Sequence, residues 1–370
     1  MTNRMNSLVF TNMLHRPART FVSVLGIAVG VLLIVFTVGL SNGTMRERGK
    51  REGNVGAEIM FRSSGTIGMG TEAFRLPVTM KDEIARVEGV RSVVSVGQSS
   101  VTTDDNRTGN RLIDGVEYDT YAEVVGLSII EGSKLSDKGD EAIVDTGFQQ
   151  QKKYSVGQKI KLFERDFTIV GTYEPAAGAR IKIPLSTMQD QLGSEGKVNA
   201  FLIKIAEGQK ESDVAQRLHN TFPDNQIVLT REIEELYMQG FPALNVFLNV
   251  FIGVAAVISA LVILLTMYTT VTERTRQIGI MKSLGMSNAG IAWTITQEAL
   301  LISLCGIVGG IVLTFVLRFA LTRVTTLEVE MSWTVILLTV IVGLIGGAIG
   351  GLYPALRAAR LDAVEALSYE

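Results

Sequence analysis

Chemistry-bearing residues are sparse in this 370-residue chain, and their spacing does not suit catalysis. A single cysteine, Cys305, rules out an internal disulfide and a cysteine-rich zinc site. The two histidines, His15 and His219, lie too far apart in sequence to suggest an imidazole metal centre. Asp104 and Asp105 are adjacent, but no pattern around them serves nucleophilic or acid–base work, and a solvated surface is the plain reading. No G-x-x-x-x-G-K-[ST] run occurs, so this sequence holds no phosphate loop. The expectation is a non-catalytic chain with no catalytic residue, metal or cofactor of its own. Glu298 alone stands out by its surroundings, because it interrupts an apolar stretch. A carboxylate there marks an ion or proton path, or else bonds to a neighbouring helix. One carboxylate cannot relay protons, and the inverted repeats and broken helices of gradient-driven transporters are absent.

Four stretches almost free of charge govern where these residues lie: 21–40, 241–270, 291–317 (with Glu298) and 333–356. Each supplies the roughly 20 apolar residues that a helix needs to cross about 30 Å of hydrocarbon. Between the first two, residues 43–240 hold 25 of the 35 Lys and Arg and 30 of the 37 Asp and Glu. The chain-wide 47% apolar and 19% charged residues therefore average a soluble domain with a membrane part. A formal net charge of −2 argues against a nucleic-acid partner.

Basic residues near span ends set orientation, because they stay on the cytoplasmic side. Arg4, Arg16 and Arg19, then Arg274, Arg276 and Lys282, then Arg357 and Arg360 all fall on one side of four spans. The predicted architecture is a membrane protein with four transmembrane α-helices and a large α/β extracytoplasmic domain between the first and second. It is expected to be multi-pass in the inner membrane, with both termini cytoplasmic. The divisions are a cytoplasmic segment (1–19), the first span (20–42), the periplasmic domain (43–240) and the second span (241–270). A cytoplasmic helix (271–288), the third span (289–317), a short outer loop (318–332), the fourth span (333–356) and a cytoplasmic tail (357–370) follow.

Met5, Leu8, Val9 and Met13 share one face of a helix that Pro17 ends. This is either an amphipathic helix on the inner membrane surface or a frayed tail. The apolar run that follows is longer than a signal-peptide core, which favours an uncleaved span. In the outer domain, strands are expected at 57–62, 90–96, 200–205 and 226–229, and helices at 79–87 (capped by Thr79) and 211–219. A hairpin of 159–163 and 167–173 should turn at 164–166.

The spans carry small residues at helical spacing: Gly26 and Gly30, Gly306 and Gly310, then Gly343, Gly347 and Gly351. Such rows let helix backbones approach closely, within the chain or against a second copy. Between the second and third spans, Ile280 and Leu284 lie one turn apart, as do Ile278 and Met281, beside the basic Arg274, Arg276 and Lys282. Gly285 suits a C-terminal cap and Ser287 a helix start. The segment forms a short helix that could carry motion from a soluble partner, or a basic loop that only anchors the membrane.

The run Glu273-Arg274-Thr275-Arg276-Gln277-Ile278-Gly279-Ile280-Met281-Lys282-Ser283-Leu284-Gly285 resembles the signature of MacB/FtsX-like ABC permeases. So does Tyr353-Pro354-Ala355-Leu356-Arg357-Ala358-Ala359-Arg360-Leu361-Asp362, running on to Glu365-Ala366-Leu367, although Ala363 stands where the family usually has Pro. The resemblance covers essentially the whole chain. It implies a permease that pairs with a second copy, identical or not, and carries separate cytoplasmic ABC ATPases, on which ATP and Mg would bind. The ATPase-coupling residues would be Glu273, Arg274, Arg276, Gln277, Ile278, Gly279, Met281, Lys282, Leu284 and Gly285. ATP hydrolysis would then move the outer domain (mechanotransmission) to export or extract a macrolide, peptide, lipoprotein or lipid. The resemblance leaves open a periplasmic adaptor and an outer-membrane channel. Residues 115–197 would be a subdomain inserted between porter-like units. The alternative is a cell-division-type regulator that activates a periplasmic hydrolase without transporting substrate.

Overall fold

The computed structural model describes residues 17–63, 73–102, 110–239, 242–325 and 327–360. The expected amphipathic segment around Met5–Met13, the pair Asp104 and Asp105, and the last ten residues lie outside these. In chain order come α1 (Pro17–Gly53), β1 (Ile59–Ser63), β2 (Leu76–Pro77), α2 (Met80–Ala85), β3 (Val90–Thr102), β4 (Asn110–Val116) and α3 (Tyr118–Val125). Next are β5 (Ser128–Gly132), β6 (Glu141–Asp145), α4 (Thr146–Lys152), β7 (Lys159–Leu162), β8 (Arg165–Glu174), β9 (Ile181–Pro184) and α5 (Leu185–Leu192). Then follow β10 (Lys197–Val198), β11 (Ala200–Ile205), α6 (Glu211–Thr221), β12 (Asn225–Leu229) and α7 (Ile233–Gln239). The chain closes with α8 (Pro242–Glu273), α9 (Thr275–Ser283), α10 (Asn288–Val324) and α11 (Trp333–Ala359). Two compact units divide these elements: residues 1–43, 242–323 and 327–370, and residues 44–241 with 324–326.

In the first unit, α1, α8, α10 and α11 are each long and apolar enough to cross a membrane. Hydrocarbon offers no hydrogen bonds, so polar side chains turn inward or onto their own helix. Ser23 donates to the Thr266 hydroxyl at 2.9 Å, while Ser303, Thr314 and Thr339 donate to carbonyls one turn back. The glycines form the seams. A Cβ on Gly26 or Gly30 would press on Val262 or Ser259, which places α1 against α8. Gly306 and Gly310 face Ile27, Ala28 and Val31, which places α10 against α1. Gly343, Gly347 and Gly351 face Ile307, Ser303 and Ala299, and Gly350 faces Ala260, so α11 lies against both α10 and α8. Ile27, Val31, Val35, Ile263, Met267 and Ile302 fill the centre. All seven glycines thus serve packing inside the chain. Of the two alternatives, packing within the chain or against a second copy, these contacts are of the first kind. Leu25, Val29, Leu33, Val257, Leu261, Ile345 and Ile349 form the outward, lipid-compatible faces.

The second unit holds a ten-stranded sheet in the order β12-β1-β11-β3-β4-β9-β6-β8-β5, with β7 paired to β8, and a two-stranded sheet of β10 and β2. The region 115–197 extends this sheet rather than forming one of its own, since β4 pairs antiparallel with β3 and parallel with β9. The β1 strand is buried on both faces: Ile59 and Phe61 join one core, and Met60 joins another. Thr79 does stand before α2, but its side chain caps nothing. The hairpin turns at Phe163–Glu164, earlier than expected. Leu162 faces Arg165, and the two turn residues adopt φ of 51° and 63°, the geometry of a two-residue I′ loop without its usual Asn-Gly signal.

A buried charge occupies the sheet's centre. The Lys182 ammonium is fully enclosed and donates to Asp114 at 2.9 Å and to the Ala177 and Ala179 carbonyls. It also lies 4.9 and 5.1 Å from the Tyr121 and Tyr173 ring centres. Burial works against the charge, but the Asp114 carboxylate outweighs it and holds the amine above its ordinary range. Burial also pushes both tyrosine hydroxyls up, so they are neutral, and that of Tyr173 donates to the Ala179 carbonyl at 2.7 Å.

Overpacking a helix seam costs about 1–3 kcal/mol. Gly347→Val, aimed at Ser303, should lower the melting temperature in detergent accordingly. Gly253→Ala, with open space before it, should raise stability by up to about 1 kcal/mol. An unchanged melting temperature for Gly347→Val would contradict the seam.

Candidate functional site

The site is built where α8 stops. Arg274 breaks the helix at φ −104° and ψ 16°, and α9 starts at the next residue. At the far end, Gly285 takes φ +93°, a conformation that favours glycine. The Gly285 amide donates to the Lys282 carbonyl at 3.0 Å and the Met286 amide to the Met281 carbonyl at 3.1 Å. This bond pair is a Schellman cap, and it closes α9 after nine residues. Ser287 then caps α10 as its sequence suggested, accepting from the Gly290 amide at 3.1 Å.

Three ties hold this short helix. Its inner face, Ile278 with Met281, packs on Val271, Ile291 and Ala358. The Arg274 guanidinium lies 3.3 Å from both Glu298 oxygens, and both side chains are largely buried. This pair answers the question Glu298 posed, because the carboxylate is bonded to the joint between α8 and α9. Lys282 donates to the Ala359 carbonyl at 3.0 Å, which satisfies one of the orphan acceptors at the end of α11. Beside it, Arg357 donates to the Tyr268 hydroxyl at 2.8 Å and covers that ring at 4.9 Å, joining α11 to α8.

The structure therefore brings together two sequence segments that lie about seventy residues apart. Ala358 packs on the helix and Ala359 accepts from it, while Pro354 and Ala355 are buried above. Among the expected coupling residues, Ile278, Gly279 and Met281 face inward. Arg274 and Lys282 are engaged in ties, and Glu273, Arg276, Gln277, Leu284 and Gly285 are exposed. Ile280, which that set omitted, is 44% exposed and Leu284 is 82% exposed. Their one-turn spacing could have identified this outward apolar pair. The described residues contain no group of three or more metal-ligating side chains. The arrangement can present a rigid helix edge.

Residues 20–221, more than half of the chain, match the family described as MacB-like periplasmic core domain, and residues 249–363 match FtsX-like permease C-terminal. The macrolide export ATP-binding/permease protein MacB of Vibrio parahaemolyticus is 25% identical over 380 residues, which cover 96% of this chain and 58% of the relative. The pyoverdine export ATP-binding/permease protein PvdT of Pseudomonas syringae pv. tomato is 26% identical over 385 residues, covering 95% of this chain and 57% of the relative. The chain thus spans less than two thirds of the length of these curated relatives. The crystal structure of the periplasmic region of MacB from Actinobacillus actinomycetemcomitans aligns at 15% identity and a TM-score of 0.38, over 49% of this chain and 93% of that one.

Breaking a buried ion pair strands its partner, at a cost of about 3 kcal/mol or more. Arg274→Ala should therefore lower thermal stability clearly, and adding Glu298→Leu should recover much of the loss. Ile278→Asp should be as damaging as Arg274→Ala, whereas Leu284→Asp should melt like the native protein. Equal effects of Ile278→Asp and Leu284→Asp would refute the assigned faces of α9.

Proposed function

The chain belongs to the MacB/FtsX-like ABC permease family, and from that premise we propose that it is the transmembrane subunit of an ABC transporter whose ATPase is a partner on another chain. The observation that carries this reading is the convergence of two distant segments on α9. It is fastened at Arg274, Ile278 and Lys282, yet leaves Ile280 and Leu284 bare. An exposed apolar pair on a rigid helix suits a protein groove that takes amphipathic anchors. In this reading α9 is the coupling helix and lies in the cytoplasm with both termini.

Movement of the ATPase would tilt α9 and, through its ties, α8, α10 and α11. The motion would be used outside the membrane, to export or extract a substrate such as a macrolide, peptide, lipoprotein or lipid. Two features support mechanical work over gradient-driven transport. The apolar stretches hold one residue among Asp, Glu, Lys and Arg, namely Glu298, and that residue is paired at the helix joint. Relatives named for macrolide and pyoverdine export support the substrate class. A second permease copy completes the assembly, and an adaptor with an outer-membrane channel would extend it.

Pulldown of the full chain from solubilised membranes should recover an ABC ATPase; recovery without one would sink the proposal. A periplasmic hydrolase in place of an adaptor would favour a cell-division-type regulator. With the ATPase bound, Leu284→Asp should weaken the complex at least about tenfold, as expected for loss of an interface anchor. ATP hydrolysis stimulated by the permease should fall in step. Native affinity in Leu284→Asp would remove α9 from the interface.

A further inference from the structure

The last turns of α1 belong to the outer unit, and there they meet an unusual concentration of buried charge. Arg51 is 8% exposed and Asp145 3% exposed. The Arg51 Nη2 donates to Asp145 at 3.0 Å, and its Nε donates to the Gly178 carbonyl at 2.9 Å. In return, the Gly178 amide donates to the Arg51 carbonyl at 2.8 Å. One turn earlier, Glu47 accepts from Arg180 at 2.7 Å, and just past the helix Asn54 donates to the Ala176 carbonyl at 3.2 Å. Segment 176–180, which joins β8 to β9, therefore wraps the end of α1 from Glu47 to Asn54.

The chemistry of this clasp is specific. Gly178 holds φ +57°, and a Cβ there would strike the Asp114 carboxylate that anchors Lys182. Asp145 also caps α4 by accepting from the Phe148 amide at 2.8 Å, which fixes the carboxylate that Arg51 needs. Asp145, Ala176, Gly178 and Arg180 lie in 115–197, a stretch with no chain connection of its own to a membrane helix, whereas Asp114 stands just before it on β4 and Glu52 of α1 accepts from Gln98 of β3 at 2.7 Å. Gly49 of α1 packs against the Glu234 backbone and Tyr237 of α7, and the ion pair between these helices, Arg46 to Glu234 at 3.1 Å, is 40% exposed on both sides. A surface pair of that kind contributes little. Buried ion pairs cost desolvation and often add no net stability, so their best-attested use is to specify one arrangement.

We propose that Arg51 is a positioning residue that locks the end of α1 to the 115–197 region, through Asp145 and Gly178, so that displacement of the first span moves that region with it. The delivery of motion rests on the transporter reading above; the lock itself does not. Both parts are tested on the full chain in a lipid bilayer, with its ATPase bound and Cys305→Ala to free the background.

Hydrogen exchange reads the lock. Arg51→Gln should speed exchange in 46–53 and 176–180 by about 10- to 100-fold, the worth of one hydrogen bond to a charged group. Arg51→Lys, which keeps the charge on Asp145, should restore part of the protection. A spin label at Lys161→Cys on each permease copy reads delivery. ATP should shift the label-to-label distance in the parent protein and not in Arg51→Gln, while the ATP hydrolysis rate stays unchanged. Native protection in Arg51→Gln would overturn the lock, and lost protection with an intact ATP-driven shift would overturn its positioning role. If the parent protein shows no ATP-driven shift, the transporter reading fails, and the exchange result alone decides the lock. If Arg51→Gln does not fold, Arg180→Gln removes the bond to Glu47 and the 3.8 Å ion pair with Asp145 but leaves Arg51 in place, and it should still loosen 176–180; native exchange there would count against the clasp.

Discussion

Hydrocarbon accepts neither an unpaired charge nor an unbonded peptide group, and every feature of the membrane unit answers to that restriction. The backbone is satisfied by running as four long helices, and hydroxyls turn onto their own carbonyls or onto each other. With no water to expel between helices, cohesion must come from close contact, so glycines occupy the seams. Charge is confined to the helix ends. Where a carboxylate does enter a span, at Glu298, an arginine from the adjoining joint meets it.

The same restriction explains why the joint is rigid. Arg274 cannot swing away without stranding Glu298, and Lys282 cannot leave without unsatisfying the Ala359 carbonyl at the end of α11. Ile278 lies among apolar neighbours from three other segments. A nine-residue helix would be marginal alone in water. Here it is held at both ends and along one face, which makes its remaining face a fixed surface. Leu284 and Ile280 are exposed because the packing that stabilises α9 uses the opposite residues.

Much of this was legible in the residue order. Charge-free runs of about twenty residues admit few readings other than spans, and the strands at 200–205 and 226–229 followed from their apolar content and bounding turns. The short helix, its glycine cap and the serine that starts α10 were readable because caps are local chemistry. The hairpin turn was misplaced because Phe163 and Glu164 take positive φ without the residues that usually announce it. The buried pairs Arg51–Asp145 and Lys182–Asp114 were invisible, since their partners lie 94 and 68 positions apart and each residue alone reads as surface.

The sequence by itself determined which segments leave water, that the intervening domain is α/β, and that a short helix stands between the second and third spans. These properties depend on composition and on neighbours within a few residues. Only the tertiary structure decided which glycine faces which helix, which side of α9 is bare, and that the two distant segments form one site. Periodicity shows that a helix has two faces, but what covers each face depends on contacts between parts of the chain far apart in sequence. Glu298 acquired its meaning when Arg274, twenty-four positions away, was found 3.3 Å from it.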